Sequence, residues 1–440
     1  MRGAFESLRD YSGGLLVMIA SLMWPVSRSA WRSAVDRRSA WLPGVLVGVG
    51  FVVRLFARRV TAGSNSGGYY IFLMIAKTLA QGGGFCEVPG RACAVRVPGY
   101  PLFLSWFIGA DGPGVGLVAA QAALGALVVW ITWRIGGELF DRSTGLLAAA
   151  AVCVSPYAVI HDTALQDTVL VDALIASGIF LLLTLERTAR APWALAAGAA
   201  LAAAVLVTAR LALILPAVLV WAGWRAGGSW RLRVKHTALI ALPVVVLVGG
   251  WLVRNDRVVG APVLTTVAGE SLWTANNAVT LNRFPAQSID LTKQDAYDAL
   301  TTDERTALAR LGDDDVAVDR LLEEWGWAFI VAHPAKVAEY ALVKVAVPLL
   351  AYLSPARRPI IQEVFALVYL PVHLLAGLAF WRCRAAWKAH ALTAAVFGVF
   401  LATTAVFWAH TSHATFLDPL WFVYAAAVMT GATSAAKSEC

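Results

Sequence analysis

The chain has 440 residues, 59% of them hydrophobic and only 15% charged, with a formal net charge of +8 and a mean hydropathy of +0.67. No ordinary soluble domain of this length tolerates so much apolar surface, so the composition excludes a soluble enzyme and points to a polytopic membrane protein. The excess positive charge reads as an orientation signal, and no nucleic-acid partner is expected because nothing else in the sequence supports one.

An upstream run, Gly13 to Pro25, is only marginally long enough to cross a bilayer and is followed by Arg28, Arg32, Arg37 and Arg38. It reads as an interfacial helix rather than a cleaved signal. Stretches of roughly 17–25 apolar residues then recur. They predict spans near 41–58, 114–136, 143–160, 168–185, 192–208, 210–224, 237–253, 336–353, 360–381, 389–409 and 416–432. The fold class is therefore an all-α membrane bundle of about 10–11 transmembrane helices with helices in its outer loops.

Basic clusters at Arg28–Arg38, Arg187/Arg190, Arg225–Lys235 and Arg382–Lys388 occupy short connectors and belong in the cytoplasm. The alternate connectors, including 59–111, 156–167 and 254–335, then face outward. If every stretch crossed, 382–388 would fall outside against its charge. The 336–353 stretch, with Glu339, Lys344 and Pro348, is accordingly expected to lie along the outer surface or to dip in and return. The organisation reads as an interfacial segment 1–40, a transmembrane module 41–254, an outer polar and helical loop 255–335, a second transmembrane module 336–432 and a tail 433–440.

The outer segment 59–111 is glycine-rich and contains Cys86 and Cys93, whose close spacing in an oxidising compartment favours a small disulfide loop, with two free thiols as the alternative. The outer segment 254–335 opens on a polar cluster, Arg254, Asn255, Asn276 and Asn277, and continues into an acidic stretch with two short amphipathic helices interrupted at Gly312. Asp313-Asp314-Asp315 reads as a solvated helix start.

Four stretches carry a family resemblance: Arg96-Val97-Pro98-Gly99-Tyr100-Pro101-Leu102, Thr208-Ala209-Arg210, Trp251 to Asn277, and His333-Pro334 ahead of Lys344. In order and spacing the sequence resembles the bacterial branch of the dolichyl-phosphate-mannose-protein-mannosyltransferase-like family, of GT-C architecture, over roughly residues 41–430. The resemblance implies an inverting transferase in the inner (plasma) membrane. It would move a sugar from a polyprenyl-phosphate-linked donor to an acceptor hydroxyl or amine at the outer face, the acceptor being a protein, lipid or glycan. Membrane lipid and the lipid-linked sugar are the implied partners.

Arginine gives bidentate contacts to phosphate, and Arg96, Arg210 and Arg254 all fall at the predicted outer membrane boundary. An arginine at a span end also serves as a snorkelling anchor. Tyr100, Asn255, Asn276 and Asn277 are expected beside the substrate, and His413 stands where the family commonly carries an Arg-Tyr pair.

The family's first-loop acid is missing. That place reads Ser64-Asn65-Ser66-Gly67-Gly68-Tyr69-Tyr70, without a carboxylate. A general base needs a group that takes a proton, so the role passes to Asp167 or Asp162 in the next outer connector, with Glu87 and Glu270 as lesser loop candidates and Asp172 as a buried hydrogen-bonding group. No cofactor is implied with certainty, and a divalent metal is left open without a ligand set. A scaffold that binds the lipid-linked sugar without turnover is the second reading. A transporter is the third, disfavoured by the lack of paired repeats.

Overall fold

The computed structural model describes residues 40–61, 70–109, 112–287, 289–354, 357–407 and 411–435. The Gly13–Pro25 run, the basic stretch Arg28–Arg38, Ser64–Tyr69, His410 and Cys440 lie outside the described residues. The protein is all-α apart from one two-stranded hairpin, Ile108–Gly109 with Gly112–Pro113.

Each predicted span corresponds to a helix or to a pair of helices joined at a break. In order they are Leu42–Thr61, Val115–Leu139, Arg142–Val154 continued by Pro156–Asp162, Thr168–Thr188, Ala191–Val207, Ile214–Arg225, Trp230–Val259, Pro334–Leu349, Pro359–Arg382, Ala391–Val406 and Asp418–Thr430. Five helices, or six if the pair bent by 60° at Ser155 is one span, are long and apolar enough to cross a membrane by length and composition alone. The others fall short because they are interrupted or carry charge. Leu42–Thr61 holds Arg54, Arg58 and Arg59. Ala191–Val207 stops where Thr208 turns extended, and a 3-10 segment Ala209–Leu213 leads into the next helix.

Small residues let the helix backbones approach. Water is no driving force between apolar surfaces in lipid, so close van der Waals packing has to hold the helices together. A Cβ on Gly198 would lie 2.2 Å from the Ile240 carbonyl oxygen, and one on Gly145 would lie 2.2 Å from that of Trp133. Ala194, Ala197, Leu201, Ala202 and Val205 bury the same helix among Ile175, Ile179 and Leu182 of its neighbour. Thr144 donates its backbone N–H to the Asp141 carboxylate at 2.7 Å, capping the second helix of the tight Val115–Val154 hairpin.

The two segments expected to face outward are more structured, over their described residues, than their glycine content suggests. The first contains a helix Tyr70–Ala80 and a short helix Gly99–Ser105. The second folds into Ala268–Ala275, Ala278–Arg283, Ile289–Asp298, Thr302–Leu311 and Asp315–Ala332 rather than two helices. Gly312 breaks the last two at φ 57°, and Asp314 caps the final helix by accepting from the Ala317 backbone at 3.0 Å. Trp273 packs with Tyr297, Trp325 and Leu322 to form a separate small core. This cap closes on itself at Gly269, whose Cβ would come 2.0 Å from the Asp319 carbonyl oxygen. Gly269→Ala should lower stability by about 1–3 kcal/mol, as overpacking against backbone does. The expected outcome is a lower melting temperature in detergent and faster proteolysis between residues 275 and 315; an unchanged cleavage pattern would mean that the two cap helices separate freely.

Candidate active site

The interruptions of the bundle converge on one cavity of about 1210 Å³. Its lining comes from residues 71–72, 96–97, 161, 164, 166–168, 207–211, 213–214, 263–268, 271, 316, 319–320, 323, 357, 399–400, 403–404, 407, 412–413 and 416, and from none of the described basic connectors. Arg357 lies just beyond the Pro334–Leu349 helix and lines the same cavity as residues before that helix.

Asp167 is the buried carboxylate of this wall. It occupies the N-cap position of Thr168–Thr188, yet its side chain makes no capping hydrogen bond. The connector that carries it is clamped on both sides. Gln121 donates to the Ala164 carbonyl at 2.6 Å, and Gln166 bonds the His161 ring and its carbonyl. Burial pushes the Asp167 carboxyl above the usual carboxylate range, while the positive charges of Arg210 and Arg96 pull it back. Arg210 comes from the 3-10 segment that reverses the chain after Thr208. The Arg96 guanidinium lies 5.7 Å over the Phe72 ring and also bonds the Val95 carbonyl. His413 lines the cavity from the 3-10 turn Thr411–Leu417. Sequence reasoning thus found four lining residues: Arg96, Asp167, Arg210 and His413.

The remaining candidates have other places. Asp162 does not line the cavity; it accepts a hydrogen bond from Arg54 Nε at 2.6 Å in a fully buried ion pair. Tyr100 lies beneath the cavity, with its ring edge-on to Phe72 at 5.3 Å. Arg254 also stays out of the lining. It reaches back to the Cys93 carbonyl at 2.7 Å and sits over the rings of Trp251 and Phe85. Asn255 donates to the Val263 carbonyl at 2.6 Å, and Trp251 donates to that of Leu264 at 2.9 Å. These residues fasten the 263–267 wall from behind.

Asn276 ties the Val406 and Leu272 carbonyls together and accepts from buried Lys344 at 3.2 Å. Asn277 caps Ala278–Arg283 through the Thr280 backbone at 2.9 Å. The physical reason is common to all: helix breaks leave orphan backbone groups that cost free energy unless a side chain satisfies them.

Of the loop acids, Glu270 pairs with Lys293 and accepts from Tyr297, both at 2.7 Å, and Glu87 lies beside the Cys86–Cys93 disulfide; neither lines the cavity. Asp172 accepts from Thr415 at 3.0 Å within the bundle.

Sequence reasoning missed Arg357 and the cap residues Asp319, Arg320 and Glu323, which also line the cavity. The rule applied to Arg96 and Arg210, a guanidinium at an outer span end, would have found Arg357. Burial raises the Asp319 carboxyl, opposed by hydrogen bonds from the Glu270 and Gly269 backbone.

Among the described residues, the only group of three or more His, Cys, Asp or Glu side chains close enough to hold a metal is Cys86, Glu87 and Cys93, whose sulfurs are bonded to each other. Asp167 meets the charge of two guanidiniums, a poor setting for a divalent ion, so no step is derived through a metal.

Residues 98–251 match the family described as dolichyl-phosphate-mannose-protein mannosyltransferase. Among solved structures, the archaeal oligosaccharyltransferase AglB from Archaeoglobus fulgidus, in complex with an inhibitory peptide and a dolichol-phosphate, superposes with a TM-score of 0.50 at 11% identity, over 88% of this chain and 50% of that one. The chain is a GT-C-like membrane protein. The apo form of the Archaeoglobus fulgidus oligosaccharyltransferase is also similar, with a TM-score of 0.48 at 12% identity, over 89% of this chain and 50% of that one. The GT-C-like chain thus spans about half the length of these structures. No curated protein matches it.

The contacts of Arg254 give a test. Losing a charged hydrogen bond typically costs about 1.5–3 kcal/mol, so Arg254→Ala should lower the melting temperature of the ligand-free protein and expose the 83–96 loop to protease. If stability is untouched while lipid-phosphate affinity falls, Arg254 acts on ligand directly and its backing role is wrong.

Proposed function

We propose that this GT-C-like protein is a glycosyltransferase that moves a sugar from a polyprenyl-phosphate-linked donor to an acceptor hydroxyl or amine at the outer face of the plasma membrane. The observation that carries the proposal is the cavity in which buried Asp167 meets the charges of Arg210 and Arg96. The match to the mannosyltransferase family over 98–251 supports the reaction class, and the lining's lack of any residue from the described basic connectors, Arg187/Arg190, Arg225–Lys235 and Arg382–Lys388, supports the outward orientation.

In this reading the acceptor oxygen or nitrogen attacks the anomeric carbon, and the bond from that carbon to the phosphate oxygen breaks with its electron pair remaining on the phosphate. The acceptor's proton passes to Asp167. The leaving phosphate goes from one negative charge to two, and the guanidiniums of the cavity stabilise it where charge develops. A buried carboxyl with a raised pKa is a stronger base than a solvated one, provided it is still ionised at working pH.

The lack of any carboxylate from Thr61 to Phe85 favours one alternative, a protein that binds the lipid-linked sugar without turnover. Turnover assays with a polyprenyl-phosphate sugar and a panel of acceptors separate the two readings. Asp167→Asn should lower turnover by about 10²-fold or more, the usual worth of a general base, without weakening donor binding. Because the base must be unprotonated and its pKa is raised, wild-type activity should fall on acidification from a higher pH than an unperturbed carboxylate would give. Full activity in the Asn variant would make Asp167 structural.

A further inference from the structure

Three guanidiniums enter the cavity from the connectors between spans, and they are not equivalent. Arg96 and Arg210 both act on the Asp167 carboxylate. Arg357 does not share that field; the nearby group that feels its charge is His161, and among the described residues Arg357 forms no ion pair. Its own connector, residues 350–358, contains no carboxylate, the next acid being Glu363 inside the following helix. The cap residue Arg320 differs, since Asp319 and Glu323 flank it on one helix and line the same cavity.

The segment before Arg357 is tied down by hydrogen bonds. Ser354 and Thr411 exchange hydrogen bonds, at 2.8 Å from the Ser354 backbone to the Thr411 hydroxyl and 3.0 Å from the Thr411 backbone to the Ser354 carbonyl. Gln362 binds the same segment from its other side, accepting from the Leu353 backbone at 2.9 Å and donating to the Ala351 carbonyl at 3.2 Å. Thr411 leads directly into Ser412 and His413, which line the cavity. The two connectors are stitched into one ledge that presents Arg357 and His413 together.

We propose that Arg357 is the ground-state anchor of the donor phosphate, while Arg96 and Arg210 are reserved for the charge that develops when the glycosyl bond breaks. This rests on the glycosyltransferase reading above. Charge bookkeeping supports the division. Before reaction the donor phosphodiester carries one negative charge and ionised Asp167 another, so two of three guanidiniums face Asp167 and one is left for the phosphate. As the bond to the anomeric carbon breaks, Asp167 takes the acceptor's proton and becomes neutral, and the phosphate gains the second negative charge. Arg96 and Arg210 lose their counter-ion at the moment the leaving group needs one. Interactions that strengthen only in the transition state raise kcat, whereas those already made in the ground state set KM.

The test is a binding and kinetic comparison on the full chain in nanodiscs, with polyprenyl phosphate as probe and inorganic phosphate as the tail-free control. Arg357→Gln should weaken polyprenyl phosphate by about tenfold or more, the worth of a charged hydrogen bond, and raise KM for the donor with kcat little changed; Arg357→Lys should keep most of the affinity. Arg210→Gln should instead lower kcat. Removing the competing carboxylate with Asp167→Asn should release Arg96 and Arg210 and restore phosphate binding in the Arg357→Gln background, a rescue that a merely structural arginine would not give. Unchanged affinity in Arg357→Gln, or a double variant as weak as the single one, overturns the anchor. Failure of the wild type to bind polyprenyl phosphate at all overturns the glycosyltransferase reading first. Arg357 is exposed, so its variants test the ledge without removing a core residue.

Discussion

An interrupted helix in a low-dielectric bundle must find partners for the backbone groups it frees, and irregular backbone at membrane depth is tolerated only against protein or a water-filled space. The breaks at Thr208, at Arg357 and at the 3-10 turn Thr411–Leu417 meet this condition around one cavity. Some orphan groups are satisfied by side chains from distant elements, such as Gln121 on the Ala164 carbonyl and Asn276 on that of Val406. What these partners leave uncovered is the polar lining itself. The cavity is thus a product of where helices stop, and the helix-to-helix packing through Gly145 and Gly198 fixes that geometry from below.

The same dielectric argument separates two carboxylates in one connector. Asp162 and Asp167 are five residues apart, both buried, and the sequence offered them as equals. Asp162 is neutralised by Arg54, which comes from a span 108 residues earlier and leaves no room for any side chain at Gly125. Asp167 instead meets guanidiniums that themselves face open space. A buried charge tied into a dry ion pair costs several kcal/mol to expose, so Asp162 is fixed in place, whereas the partners of Asp167 remain accessible to a ligand.

The sequence disclosed the helical stretches and some of the arginines that line the cavity because both depend on local composition: apolar runs, and arginines where they end. It did not disclose which arginine faces inward. Arg254 and Arg210 occupy the same kind of position, yet Arg254 is drawn back by the Cys93 carbonyl and two aromatic rings, contacts made across more than 150 residues of chain in the first case. The asparagines misled for a related reason. Asn255, Asn276 and Asn277 mark helix ends, where amides satisfy backbone as readily as they bind sugar. Arg357 was passed over because attention at that span boundary went to its hydropathy and parity, although its position obeyed the same span-end rule.

Likeness of fold at 11% identity carries the scaffold and no more, and function has to be argued from the site. At that site the first-loop carboxylate of the resembled family is absent. Asp167 enters from the following outer connector, at the N-terminus of Thr168–Thr188, where the helix dipole favours its ionised form against the burial that opposes it. Two opposing influences of that kind leave a carboxyl that is more basic than usual yet still able to ionise. On the proposed function, an acid supplied from this connector instead of the first loop would preserve what proton abstraction requires, because the requirement is a group at the cavity wall and not a particular place in the chain.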